Sequence, residues 1–285
     1  MNGYSRSGFT LIEMIIAILI YGIVLTAGIG FVATQNKMFH LGMDRMRALQ
    51  NLRFAVNSLK TDIPSLGTNI PGNQPALVYA GEDIFAFTGD YASNIENDVF
   101  ASFIDLGAPT GQVTVPTSPL TLPNTDFTWP DTLYTTNAGT RSPAELIIYW
   151  FEDDATTRRT DDYALYRQVN NASPEAVSRH LLEPTGSGPF FRYFKRTSYS
   201  SQAASIDSIP DAYLPIRHTE VYHGVPGDTA VSALSDSIRA IRVSFRATNG
   251  LTGEQEQIAE VTRIFDMPNA GFGVVHTCGD EPILG

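Results

Sequence analysis

Hydrophobic and polar positions divide the chain into three stretches. From Met14 to Asn36, 23 consecutive residues carry no charge and are dominated by Ile, Leu, Val, Ala and Phe. A bilayer core of ~30 Å needs about 20 apolar helical residues, so this run has the length of a membrane span. Beyond it, Leu41, Ala48, Leu49, Leu52, Ala55, Val56, Leu59 and Ile63 recur at intervals of three and four, the stripe of an amphipathic helix reaching about Asp62. No proline interrupts the pattern before Pro64. One helix from Phe9 to about Lys60 is therefore expected, about 52 residues and ~78 Å long at 1.5 Å per residue. Its first half is apolar on every side. Its second half has one face to bury, and Arg45, Arg47, Arg53 and Lys60 are expected on the other.

After Ile63-Pro64 the period changes. Short apolar runs broken by Gly, Pro, Asn and Asp predict a β-rich domain with long loops. Expected strands are Leu77–Tyr79, Ile84–Phe87, Phe100–Leu106, Glu145–Phe151, Ala164–Val169 and Phe190–Lys195. Near the end, Ile241, Val243, Phe245 and Ala247 alternate with Arg242, Ser244 and Arg246, a strand with one buried face. Asn249-Gly250 then starts a turn toward a partner at about Gln257–Phe265, which makes a terminal hairpin. Between Ala108 and Pro143 six prolines among Thr, Ser and Asn predict a long loop or insertion over the sheet.

Charge sharpens this division. The chain has 285 residues, 43% hydrophobic and 17% charged, with a net charge of −11. Residues 1–60 hold six basic groups against two acidic ones, so residues 61–285 carry −15. An acidic domain of this kind disfavours direct nucleic-acid binding, which needs a phosphate-neutralising surface. The one cysteine, Cys278, excludes an internal disulfide and a thiolate zinc site.

Glu13 is the least comfortable residue beside the apolar run, because a carboxylate at the membrane edge costs a few kcal/mol unless it is neutralised or paired. It also argues against an ordinary secretory signal, whose apolar core is usually about 7–15 residues. A cut after Gly28, with Thr26 two residues before it, is the alternative on that side. The residues Gly8-Phe9-Thr10-Leu11-Ile12-Glu13, preceded by a short polar stretch with Arg6, resemble the cleavage and methylation motif of type IV prepilins and type II secretion pseudopilins. The resemblance implies that a prepilin peptidase and methyltransferase cuts after Gly8 and methylates the new amine of Phe9. Residues 1–8 become the leader, and Glu13 falls where the family keeps a glutamate. Cleavage creates a cation one helical turn from that carboxylate, so the buried charge gains a partner within the subunit or in a neighbour.

By the same resemblance the fold is α+β and pilin-like, a long N-terminal helix packed on a C-terminal antiparallel sheet domain with long loops. Its parts are the leader 1–8, the helix 9–62 with its membrane half at about 14–36, and an extracytoplasmic domain 63–285. The wording from Ser237 to Ser244 and the hairpin after it look like the carboxy-terminal sheet of the large minor pilins of the W type and of J-type pseudopilins. Two features depart from the family: its usual proline in the outer part of the span is missing, with Gly22, Gly28 and Gly30 in that stretch instead, and Lys37 and later basic residues work against the positive-inside rule.

The implied function is a structural subunit for assembly or tip initiation of a type IV pilus or a type II secretion pseudopilus. The implied partners are other major and minor pilins or pseudopilins, an inner-membrane assembly platform and the lipid bilayer. A single-pass anchored adhesin or ligand-binding domain is the second reading, with its function in loops such as 108–143. No enzyme, cofactor or metal is expected. His218, Glu220 and His223 come closest to metal spacing, but on a strand position 223 points away from the other two. Glu152-Asp153-Asp154 and Asp161-Asp162 flank Arg158-Arg159 without the spaced ligands of a calcium loop, and they read as a solvated hairpin tip.

Overall fold

The computed structural model describes residues 10–68, 70, 74–90, 120–129, 144–196, 206–217 and 238–267. The expected helix is present as α1 (Leu11–Asp62), 52 residues without a break, followed by a 3-10 turn at Ile63–Ser65. It continues through Gly22, Gly28 and Gly30, and the hydroxyls of Thr26 and Thr34 donate to the carbonyls of Gly22 and Gly30, at 2.8 and 2.9 Å. Both threonine hydroxyls in the apolar run thus have a partner on their own helix, which suits a lipid surrounding.

Among the described residues twelve strands follow: β1 (Leu77–Ala80), β2 (Ile84–Gly89), β3 (Leu120–Thr121), β4 (Thr128–Trp129), β5 (Glu145–Asp153), β6 (Tyr163–Val169), β7 (Glu175–Leu182), β8 (Phe191–Arg196), β9 (Ile206–Ser208), β10 (Ile216–Arg217), β11 (Ile238–Thr248) and β12 (Ile258–Asp266). Ten form one antiparallel sheet in the order β10-β1-β2-β5-β6-β7-β11-β8-β9, with β12 added to β11. Strand β11 is the fork. One edge pairs with β12 over nine residues, while the other pairs with β8 through Ile238–Val243 and with β7 through Arg246 and Ala247. The sheet curls until the β1–β2 turn is stitched to β5 and β8: the amides of Phe151 and Phe191 donate to the carbonyls of Asp83 and Glu82, and the Tyr193 hydroxyl donates to that of Gly81 at 2.9 Å.

The curl encloses the core. Ala55, Leu59, Ile63 and Leu66 from the helix end meet Phe85, Phe87, Tyr149, Phe151, Phe191, Tyr193 and Phe245 from the sheet. Phe151 and Phe190 stack with ring centres 3.9 Å apart. Each such side chain contributes roughly 1.5–3 kcal/mol by leaving water. At the close approach of the turn after α1, a Cβ on Gly89 would overlap the Ser65 carbonyl oxygen, so β2 ends there in glycine.

Part of the proline-rich stretch does more than loop over the sheet. Strands β3 and β4 make a small hairpin that sets Leu122, Phe127 and Trp129 against Val78, Ile84, Leu146, Ile148 and Trp150 on the sheet's outer face. Strand β5 is therefore covered on both sides, which explains its continuous apolar run Leu-Ile-Ile-Tyr-Trp-Phe. The rest of 108–143 and the expected strand Phe100–Leu106 lie outside the described residues.

The helix is bound to the sheet by polar contacts as well. The Asn51 side-chain amide donates to the Thr248 carbonyl at 3.2 Å, and Ser178 Oγ donates to the Asn51 carbonyl at 2.7 Å. At the last residue of α1, Asp62 Oδ2 accepts from Arg167 Nε and from the Tyr149 hydroxyl, both at 2.6 Å. Tyr149 has one proton and gives it to Asp62, so the Ser58 hydroxyl, 2.6 Å away, donates to Tyr149. Burial, reinforced by the Asp62 carboxylate, pushes the Tyr149 hydroxyl well above the usual phenol range.

The hairpin tip between β5 and β6 corrects the sequence reading in part. Glu152, Asp153, Arg158 and Asp161 are exposed, as expected of a solvated tip, but the Asp154 and Asp162 side chains are fully buried. Arg179 pairs with Asp154 at 2.6 Å, His180 Nδ1 lies 3.0 Å from Asp162, and Arg159 bridges Asp161 at 2.8 Å and Glu256 at 2.7 Å. The tip is thereby tied to β7 and to the β11–β12 turn, where Gly250, at φ +82°, lies against the His180 ring. Burial alone would raise the Asp154 carboxyl, but hydrogen bonds from Thr156 and Arg179 together outweigh it and hold it below its ordinary value. Hydrogen bonding from Arg159 does the same for Asp161. Carboxyls depressed in the folded state stabilise it above the ordinary carboxylate range, and that contribution is lost as pH falls through the lowered values. The thermal unfolding midpoint should fall on acidification from about pH 7 to about pH 3, and Asp154→Asn should flatten that dependence; an identical pH profile in the variant would contradict this account of the tip.

Candidate assembly site

Two properties of α1 define the site: an uncovered apolar half and a carboxylate at its start. Every residue from Thr10 to His40 is exposed, and the large apolar side chains among them range from Leu11 at 80% to Leu25 at 49%. This helix is long and apolar enough to cross a membrane. Burial begins at Leu41 and is complete at Ala48, Ala55 and Leu59, where the sheet starts to cover the stripe. Arg45, Arg47, Arg53 and Lys60 are all exposed, as their spacing predicts. An apolar surface of this extent needs lipid or other helices around it.

Glu13 stands in the first turn of the helix. Thr10 is the N-cap, with φ −78° and ψ 151°, and its Oγ1 accepts from the Glu13 amide at 3.3 Å. The Thr10 amide and hydroxyl donate back to Glu13 Oε2 at 2.8 and 2.9 Å. This reciprocal capping box fixes where the helix starts and holds the carboxylate against the backbone at residue 10. Both bonds use Oε2. A carboxylate at a helix N-terminus also meets the positive end of the helix dipole. Thr10 was not singled out by the sequence reading, although Thr-x-x-Glu ahead of an apolar run is the sequence signature of this cap. Gly8 and Phe9 lie outside the described residues.

The other candidates separate in space or fall elsewhere. His218, Glu220, His223, His276 and Cys278 lie outside the described residues, and among the described residues no three His, Cys, Asp or Glu side chains are grouped to hold a metal. One cleft that the sequence did not announce, about 710 Å³, opens between the β1–β2 turn and the loops at 183–190 and 211–215. Glu82, Asp83, Glu183, Asp211 and Arg192 line it, with neither histidine nor cysteine. Burial raises the Asp83 carboxyl. Burial and the hydrogen bond to Glu183 push Tyr163 up to about 12.

Comparison with known proteins bears on the helix and its start. No curated protein and no solved structure matches the chain. Residues 4–29 match the family model described as the prokaryotic N-terminal methylation motif. That motif implies processing by a prepilin peptidase and assembly with pilins in a membrane, and the families that carry it are generally structural rather than enzymatic. The match over residues 4–29, together with a single N-terminal apolar helix and an antiparallel sheet domain, supports a type IV pilin-like or pseudopilin protein.

Proposed function

We propose that this chain is a minor pilin or pseudopilin, a structural subunit that enters a type IV pilus or type II secretion pseudopilus after cleavage behind Gly8. The observation that carries this reading is the division of α1, whose apolar half is left bare while its other half is built into the sheet. In the membrane the bare half is an inner-membrane anchor, with residues 63–285 on the extracytoplasmic side. In the filament the same surface packs against the helices of neighbouring subunits. The methylated amine of Phe9 is one residue from Thr10, whose amide already holds Glu13, so the carboxylate is placed to meet that cation or the one of an adjacent subunit. The head is bulky for repeated lateral packing, which supports a place at the tip or in an initiation complex with other minor subunits. The closing hairpin β11–β12 supports the likeness to W-type minor pilins and J-type pseudopilins.

Processing gives the direct test of the cleavage position. In Gly8→Ala the peptidase should fail and the chain should keep residues 1–8 in the membrane, as read by intact mass. An unchanged mature terminus in that variant would place the cut elsewhere. A permanently anchored adhesin or ligand-binding domain is the competing reading, and for it Gly8→Ala has no consequence.

A further inference from the structure

Beyond the apolar run, the side of α1 turned away from the sheet is not wholly polar. Phe39, Met43, Met46 and Phe54 are 40% to 66% exposed, and with Gln50 they follow one another at intervals of four, three, four and four. Such steps keep to a single helix face, and Phe39 and Met46 stand about 180–200° round the helix from the buried Ala48. The same spacing continues inward through Asn36, Val32, Gly28 and Leu25, all exposed. One stripe therefore starts inside the membrane span and runs out along the sheet domain. Met46 and Phe54 lie ~15 and ~27 Å past Asn36, the last residue of the uncharged run, which is beyond lipid headgroups. Single apolar residues on a surface are ordinary, but a row of four is not. One flank of the stripe is basic: Arg53 and Lys60, seven residues apart, are exposed, and neither has an ion pair among the described residues. On the other flank Arg47 pairs with Asp44 at 3.4 Å, and Glu175 of β7 lines the groove beside Phe54.

We infer that this stripe seats one long helix of a different membrane-anchored chain, which leaves the bilayer alongside α1 and carries Asp or Glu facing Arg53 and Lys60. The path of the stripe selects the occupant. Lipid covers Leu25, Gly28 and Val32 but does not reach Met46 or Phe54. A soluble protein covers Met46 and Phe54 but cannot follow the stripe into hydrocarbon. A helix that crosses the boundary on the same line covers both parts, with every backbone group satisfied internally. At Gly28 an added Cβ would meet nothing within 4 Å, so the neighbouring backbone can approach closely there. Charge selects between partners. Residues 37–60 hold Lys37, Arg45, Arg47, Arg53 and Lys60 against Asp44 alone, so a second copy sets like charges along each other, whereas an acidic helix complements them. The inference rests on the anchored helix proposed above and names the face and the charge of the neighbour; it does not require cleavage.

The test places benzoylphenylalanine, a photo-crosslinker, at position 46 of the full chain in its native membrane and maps the adduct by mass spectrometry. The expected product is a crosslink to one different protein, in a helix that continues an apolar run of membrane length. That helix should carry Asp or Glu about two to four turns beyond the crosslinked residue, level with Arg53 and Lys60. Arg53→Glu should lower the yield at least about threefold, and exchanging the partner's carboxylate for lysine should restore it, which a misfolded variant could not show. An adduct only with lipid, with a soluble protein or with a second copy, no adduct, or a yield indifferent to Arg53→Glu would each overturn the inference. Intact mass of the same sample separates this outcome from the filament reading: a chain that begins at Met1 overturns that reading, while the adduct still decides the seat of the helix.

Discussion

Asp62→Ala should cost about 3–5 kcal/mol of stability, because it leaves Arg167 charged and buried without its carboxylate. The pair is close to fully enclosed, with side-chain exposures of 2% for Asp62 and 8% for Arg167. An aspartate at a helix C-terminus is otherwise unfavourable, since it meets the negative end of the dipole. Arg167 and the Tyr149 hydroxyl reverse that sign locally. For a folded part of this size a loss of several kcal/mol lowers the unfolding midpoint by on the order of 10 °C, readable in detergent by circular dichroism. The double variant Asp62→Ala with Arg167→Met removes both charges and should recover part of the loss. A midpoint unchanged in Asp62→Ala would mean that the helix end is held by Leu59, Ile63 and Leu66 alone.

Glu13→Ala should leave cleavage largely intact and lower incorporation into the filament by more than tenfold. An unpartnered cation at the start of an apolar helix costs several kcal/mol, and each ~1.4 kcal/mol is a factor of ten. Because Glu13 also closes the capping box, alanine removes two interactions at once, the cap contributing about 1 kcal/mol. Glu13→Gln separates them. Glutamine can still accept from the Thr10 amide, so the cap survives while the charge is gone. Pairing with the Phe9 amine predicts that Gln is nearly as defective as Ala. Full incorporation of Glu13→Gln would reduce Glu13 to a helix cap.

Most of the helix was legible in the sequence because its signals are local. An uncharged run followed by an uninterrupted stripe of period three to four has one physical solution, and α1 ends two residues beyond the expected Lys60. The strands with strong alternation or dense apolar content were also located: β1, β2, β5, β6, β8, β11 and β12 match their expected runs within a few residues. Strand β7, Glu-Ala-Val-Ser-Arg-His-Leu-Leu, was missed. Its alternation breaks where His180 takes φ +57°, and its place is fixed by pairing with β6 and β11, which no local pattern shows.

Sequence separation hid the rest. Asp62 and Arg167 are 105 residues apart, and neither stood out. Runs of acidic and basic residues at 152–162 look like an exposed turn throughout, because the partners that enclose Asp154, Arg159 and Asp162, namely Arg179, Glu256 and His180, come from later strands. At the assembly site the opposite holds. Thr10 and Glu13 are three residues apart, and the cap between them was readable from the spacing.

Intact mass with amino-terminal sequencing of the protein purified from its native membrane decides whether the chain is processed as a pilin-like subunit. A chain that begins with N-methylated Phe9 is the predicted result. A chain that begins at Met1, as a permanent anchor would, or near Ile29, as a secreted domain would, contradicts the filament reading.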